Sequence, residues 1–176
     1  SQGTAIIVSP LISLMEDQVR QLVKLGISAT YVNSSLGARE CFDTLNHLAD
    51  FKCVYVSPER VLDPDFLERL SHITVSFFVI DEAHCISQWG HSFRAEYRQL
   101  STLRERFPQQ PLVALTATAT RDVQRDIVQS LCLTNPTFIL GSFERENLHI
   151  IVKPRDNAKK QLLDFLKSQP DFSSGI

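Results

Sequence analysis

The chain has 176 residues, 43% hydrophobic and 22% charged, with six glycines and eight prolines; this is an ordinary globular composition and excludes a disordered or collagen-like chain. A formal charge of −2 gives no overall basic field, so any nucleic-acid site must be local. No apolar run has the length of a membrane span and no charged-then-apolar leader opens the sequence, while Cys41, Cys53, Cys85 and Cys132 contain no Cys-x-x-Cys pair and read as reduced thiols of an intracellular protein.

Short apolar strands alternate with amphipathic helices. Thr4–Val8 reads as a strand; Leu11, Leu14, Met15, Gln18, Val19 and Leu22 then recur at helical spacing, and Gly26 supplies a stop. Ala29–Val32 is the next strand, and Ala38–Asp50 a helix with Phe42, Leu45 and Leu48 on one side. Cys53–Val56 is a strand and Pro64–Leu70 a short helix. Val75–Ile80 carries the strongest strand signal. Arg94–Phe107 reads as one helix and Leu112–Leu115 as a strand. Thr120 is placed to cap a helix with Asp122 in its first turn and Val123, Ile127, Val128 and Leu131 on its apolar face.

Beyond Leu131 the rhythm changes. Thr137–Leu140 and Leu148–Val152 read as strands around the polar run Ser142–Asn147, and the charged stretch Lys153–Lys160 leads into a helix ending near Ser168. Strands rich in Val, Ile and Phe, separated by helices, predict an α/β fold with a parallel sheet flanked by helices.

Open parallel sheets bind ligands outside the carboxyl ends of their strands. Four of the predicted strands end in polar or reactive groups: Ser9-Pro10, Ser57-Pro58-Glu59-Arg60, Asp81-Glu82 and Thr116-Ala117-Thr118. A purely structural sheet has no reason to gather such groups on one edge. The Asp81-Glu82 pair, at the exit of a buried strand, suits nucleotide hydrolysis. One carboxylate can help hold Mg²⁺ through water, and the other can orient and deprotonate the attacking water. The bland alternative is two solvated acids at a helix start, where carboxylates are favoured anyway.

A second cluster surrounds Trp89, the one tryptophan, with Gly90, His91, Phe93, Arg94, Tyr97 and Arg98 nearby. Rings interleaved with cations suit single-stranded nucleic acid, since bases stack on aromatic faces and guanidinium groups meet phosphates. The alternative is a core tryptophan on a tight turn. His84, Cys85 and His91 match no familiar metal-ligand spacing.

Asp81-Glu82-Ala83-His84, followed by Cys85-Ile86-Ser87-Gln88-Trp89-Gly90-His91-Ser92-Phe93-Arg94-Ala95-Glu96-Tyr97, resembles the DEAH box and aromatic-rich loop of the RecQ family of DNA helicases. Ser9–Gln18 resembles that family's motif Ia, Tyr55–Arg60 its motif Ib and Ala114–Ala119 its motif III; Ser142–Asn147 is similar to its domain junction. The resemblance implies a RecA-like motor domain that uses ATP and Mg²⁺ to unwind duplex DNA with 3′-to-5′ polarity in recombination and repair. It implies Asp81 as the Mg²⁺-side carboxylate, Glu82 as the base for water, and His84 as the link from the DEAH box to Thr116 and Thr118 near the nucleotide. It also implies single-stranded and duplex DNA as partners. Pro10, Gln18, Asn33, Ser34 and Arg60 would lie along the DNA backbone, and Gln88, Trp89, His91, Phe93 and Arg94 would sense the strand. Such a protein would work in the cytoplasm or nucleoid of a bacterium or the nucleus of a eukaryote.

The chain departs from the family in several places. A phosphate loop of the Gly-x-x-x-x-Gly-Lys type is missing, since none of the six glycines precedes a lysine. The expectation is therefore that residues 1–142 form the RecA-like domain without its upstream phosphate loop, and that 143–176 are the inter-domain connection and the start of a second such domain. By itself the chain should then hydrolyse ATP negligibly. Ser92 stands where the family has an aspartate, and Ala95 and Glu146 where prolines are usual. A truncated, non-catalytic DNA- or partner-binding module is the competing reading. A nucleotide hydrolase unrelated to DNA fits the Trp89 loop poorly.

Overall fold

A computed structural model describes residues 2–88, 92–141, 147–148 and 151–168. The chain divides into two compact units, Ser1–Pro136 and Thr137–Ile176. The first contains a five-stranded parallel sheet, with β1 Thr4–Val8, β2 Ala29–Val32, β3 Cys53–Val56, β4 Val75–Ile80 and β5 Leu112–Ala114 in the order β2-β3-β1-β4-β5. Its helices are α1 Ile12–Lys24, α2 Ala38–Asn46, α3 Pro58–Val61, α4 Pro64–Ser71, α5 Ala95–Arg98, α6 Ser101–Arg106 and α7 Arg121–Ser130.

The strand order explains how the helices are shared between the faces. From β1 the chain runs outward to β2, then returns in the opposite direction through β3 to β4 and β5. Right-handed crossovers therefore send α1 to one face and the later helices to the other. The side chains agree. Ile6, Val8, Val54, Val56, Phe78 and Ile80 alternate onto the face of the main core with Phe66, Leu70, Leu103, Val123 and Ile127. Ala5, Ile7 and Ala29 point the other way and are buried, as are Met15 and Val19 of α1. Toward β5 that second face thins out: Phe77 and Val79 are half-buried and Val113 is 42% exposed.

Local chemistry sets the helix ends. Gly26, at φ 75°, ends α1 as expected, with hydrogen bonds from Gly26 N to Val23 O and from Ile27 N to Leu22 O. Asp63 caps α4 through bonds to the N–H groups of Asp65 and Phe66, and Thr120 caps α7 through Val123 N. Ser57 caps the short α3, which periodicity did not predict because four residues are too few to show it.

Four expectations change. The helix expected over Ala38–Asp50 stops at Asn46 and continues as a separate 3-10 turn, Leu48–Asp50, so Leu48 is buried while Phe42 is 58% exposed. Arg94–Phe107 is two short helices, broken at Gln99 and Leu100. The strand predicted at Leu112–Leu115 ends at Ala114, although Leu115 N still donates to Ile80 O. Finally, Thr137–Leu140 forms no strand, and neither do the described residues of Leu148–Val152; apolar spacing marks a potential strand, but only pairing makes one. In the second unit α8, Ala158–Lys167, starts inside the charged run, capped by Asn157 onto Lys160 N at 3.1 Å.

Candidate active site at the carboxyl edge of the sheet

All five strands are parallel, so Asn33, Ser57, Ser9, Asp81 and Leu115-Thr116 follow one another along a single edge. The polar strand endings read from the sequence are brought together there. Asp81 N donates to Val8 O, which carries the sheet one residue beyond β4 before the chain turns.

The turn is tight. Glu82 has φ 50° and ψ 41°, in the left-handed region, and the 3-10 turn Ala83–Ile86 begins directly after it. Its own N–H is held by Asp81 Oδ1 at 2.9 Å. Both carboxylates are half-buried, whereas Ala83 through Ser87 are buried. His84 Nδ1 lies 3.2 Å from Glu82 Oε2 and 3.0 Å from Thr116 Oγ1. An ionised carboxylate only accepts, so Nδ1 carries a proton and donates to this pair.

Thr116 and Thr118 lie beyond the end of β5 and do not form an extended strand. Thr116 Oγ1 accepts from Thr118 N at 3.3 Å and donates to Thr118 O at 3.1 Å, folding the segment into a turn. Thr116 is thereby aimed at His84, while Thr118 is exposed. The backbone bond from Ala83 N to Leu115 O, 2.9 Å, ties the same two segments together.

The loop that follows is bracketed by partly buried contacts. Arg94 N donates to Cys85 O at 2.9 Å and Arg98 Nε to Ile86 O at 3.4 Å. Ser87 Oγ donates to Asp126 Oδ2 of α7 at 2.6 Å, and Tyr97 OH donates to Asp81 O at 3.0 Å. Tyr97 is 0% exposed, so it is a core residue and not a stacking ring. Burial pushes its phenol pKa far above the ordinary value, with the nearby Cys85 and Asp81 adding to the effect. The Cys85 thiol is likewise raised by burial, partly offset by Arg94. Phe93 is 41% exposed, and the Arg98 guanidinium sits 5.5 Å from its ring centroid. Gln88 is exposed and Arg94 half-buried at the start of α5; Trp89 and His91 lie outside the described residues.

The other expected positions are spread over the β1–β3–β2 half of the edge. Pro10 and Gln18 are partly exposed and Ser34 is exposed. Asn33 is buried, with Oδ1 accepting from Ser35 N at 2.8 Å and Ser35 Oγ at 2.6 Å, while its Nδ2 has no partner. Ser9 Oγ is also buried without a partner. Arg60 is half-buried in α3 and reaches Asp63 only at 3.9 Å. Ser87, Asp126 and the inward role of Tyr97 are not foreseen from the sequence. Ser87 and Asp126 are 39 positions apart, and no local signal pairs them.

Among the described residues no group of three or more His, Cys, Asp or Glu is placed to hold a metal ion. A magnesium ion needs fewer protein ligands than that, since it takes one or two carboxylates and completes its shell with water and phosphate oxygens. Asp81, half-buried and with Oδ1 engaged by Glu82 N, keeps its second oxygen for such a role. Among the described residues no helix is long and apolar enough to cross a membrane.

Residues 1–126 match the DEAD/DEAH box helicase family. The ATP-dependent DNA helicase RecQ of Pasteurella multocida is 46% identical over 99% of this chain and 28% of its own length. RecQ of Bacillus subtilis is 41% identical over 95% of this chain and 29% of its own. The RecQ-like DNA helicase BLM of Xenopus laevis is 37% identical over the whole chain and 14% of its own. The chain thus spans less than a third of the length of these curated relatives. Among solved structures, the helicase domain of Hef from Pyrococcus furiosus matches 75% of this chain and 28% of that one, with a TM-score of 0.56 at 18% identity. That likeness establishes the fold, a RecA-like parallel sheet.

Proposed function

Because the chain belongs to the DEAD/DEAH box helicase family, and is similar along its length to RecQ helicases, we propose that it is part of the first motor domain of an ATP-driven DNA helicase. Residues 1–142 carry the ATP side of the motor and 143–176 lead toward a second RecA-like domain. The parent would translocate 3′ to 5′ on single-stranded DNA and separate duplexes in recombination and repair. One observation supports the reading above others: His84 touches both Glu82 and Thr116, joining the acid pair of one strand end to the threonine turn of the next.

With ATP bound, Mg²⁺ would neutralise charge on the phosphates, held on the protein side by Asp81. Glu82 is the residue to take a proton from the attacking water. Its carboxylate already leans on His84, which keeps it from rotating away and passes its position to Thr116. Thr118 stands by the same turn as a further nucleotide-side group. Gln88, Trp89, His91, Phe93 and Arg94 meet bases and phosphates of the single strand, and the exposed ring of Phe93 beside Arg98 suits that task. Pro10, Gln18, Ser34 and Arg60 would line the track for its backbone, and Asn33, which is buried, would shape the turn beneath it.

The non-catalytic reading draws on one observation, that none of the six glycines precedes a lysine. It agrees with the proposal that this chain alone turns over ATP negligibly; DNA-stimulated hydrolysis above that of a Glu82→Gln variant would overturn it. The DNA role is tested by titrating the chain with single-stranded oligonucleotide at low salt and following its lone tryptophan. A saturable change in emission is expected, and an unchanged spectrum would remove DNA from the proposal.

A further inference from the structure

Two side-chain rungs join the segment after β4 to the segment after β5. One is His84 to Thr116 at 3.0 Å; the other is Ser87 to Asp126 at 2.6 Å. The second takes no part in the proposed hydrolysis. Ser87 is fully buried and follows the 3-10 turn at the point where the chain becomes extended, with ψ 132°, and moves out toward Gln88. Asp126 lies in the middle of α7, beside Ile127 of its buried face, and α7 packs on the Ala83–Ile86 turn. A serine hydroxyl donating to a carboxylate at this length is a charge-assisted bond, here part-buried with Ser87 enclosed and Asp126 half-buried, and stronger than a bond between neutral groups.

We propose that Asp126 is a positioning residue for the Trp89 loop, acting through Ser87. The proposal rests on reading that loop as the DNA contact. The backbone bond from Arg94 N to Cys85 O fixes where the loop leaves, and Ser87–Asp126 fixes where it begins. Because Asp126 is on the helix that Thr120 starts, two residues past Thr118, the loop's origin is tied to the segment that also meets His84. Displacing the loop would then strain both rungs together.

The test uses the full chain and its lone tryptophan, two residues from Ser87. Ser87→Ala, Asp126→Ala, Asp126→Asn and the double Ser87→Ala/Asp126→Ala variants are compared by acrylamide quenching of the free protein, by anisotropy of a labelled oligothymidine and by the urea midpoint. Either alanine variant should raise the quenching constant about twofold and weaken oligothymidine binding about fivefold, and the double variant should do no more than either single one. Asp126→Asn keeps an acceptor oxygen and should stay near wild type in both. Unchanged quenching and binding with a lowered urea midpoint would make the bond merely structural and overturn the proposal. If the wild-type chain fails to bind oligothymidine, the DNA reading falls, while the quenching series still decides whether Asp126 holds the loop. If Asp126→Ala does not fold, Ser87→Ala against Asp126→Asn decides between the same two outcomes.

Discussion

The two halves of the sheet's carboxyl edge are built differently. At β4–β5, side chains reach across the chain: His84 meets Thr116, Ser87 meets Asp126, and Tyr97 reaches back to Asp81 O. At β1–β3–β2 most side-chain contacts are between sequence neighbours, the longer reach being Ser35 Oγ to Glu16 Oε1 of α1 at 3.5 Å. Ser57 caps its own helix and Asn33 binds Ser35, while Ser9 Oγ and Asn33 Nδ2 are buried without partners. The first half is held in shape before any ligand arrives, as a site handling charge in a transition state should be. The second is held mainly by its strands and by local turns, which would suit the proposed surface tracking a repeating backbone.

The largest expected effect lies in the braced half. With this chain grafted in place of the matching segment of the Pasteurella multocida helicase, Glu82→Gln should lower DNA-stimulated ATP turnover by about 10²–10⁴-fold, the range for losing a positioned general base. Retained turnover in a coupled assay would remove Glu82 from that role. Next comes Tyr97→Phe, which deletes one buried hydrogen bond and should cost about 1 kcal/mol in urea unfolding. It carries a sign as well. The phenol pKa is raised on folding, so above its ordinary value of 10.0 the unfolded chain releases a proton that the folded chain keeps, and stability falls as pH rises. The buried thiol of Cys85, raised from 9.0, acts in the same direction. Urea midpoints from pH 8 upward should therefore drop less steeply in Tyr97→Phe than in wild type, and parallel curves would exclude the phenol as a cause.

In the locally held half the effects should be smaller. Ser57→Ala removes the cap of α3 and should cost roughly 1 kcal/mol, within the usual range for helix caps. Ser9→Ala should be close to neutral, or stabilising by a few tenths of a kcal/mol, because it removes a buried hydroxyl that has no partner. A large loss at Ser9 in the same urea series would erase the contrast between the halves.

The same contrast governs what could be read in advance. Gly26, Asp63, Thr120 and the apolar runs act over a few residues, so the sheet, most helices and the edge carrying Asp81, Glu82, His84 and Thr116 were visible in the sequence. The rungs join positions 32 and 39 residues apart and depend on how the strands are ordered, which no local pattern reports. Tyr97 shows the limit clearly. Beside Phe93 and Arg94 it looks like one more ring for a base, yet a helical turn separates it from the exposed ring and points it into the core. Thr137–Leu140 erred in the opposite direction, being apolar enough for a strand but without a neighbour to pair with among the described residues.

Glu82 occupies a backbone conformation that costs most residues roughly 1–2 kcal/mol and glycine almost nothing. Glu82 is thus, with Cys132 and Asn135, one of the positions where this fold would readily accept glycine, and it is the position proposed for the base. A lineage of copies released from the need to hydrolyse nucleotide would find a downhill path there, exchanging the acid for a relaxed turn. An acid held at 82 across relatives in spite of that slope would mark continued use of the proposed base.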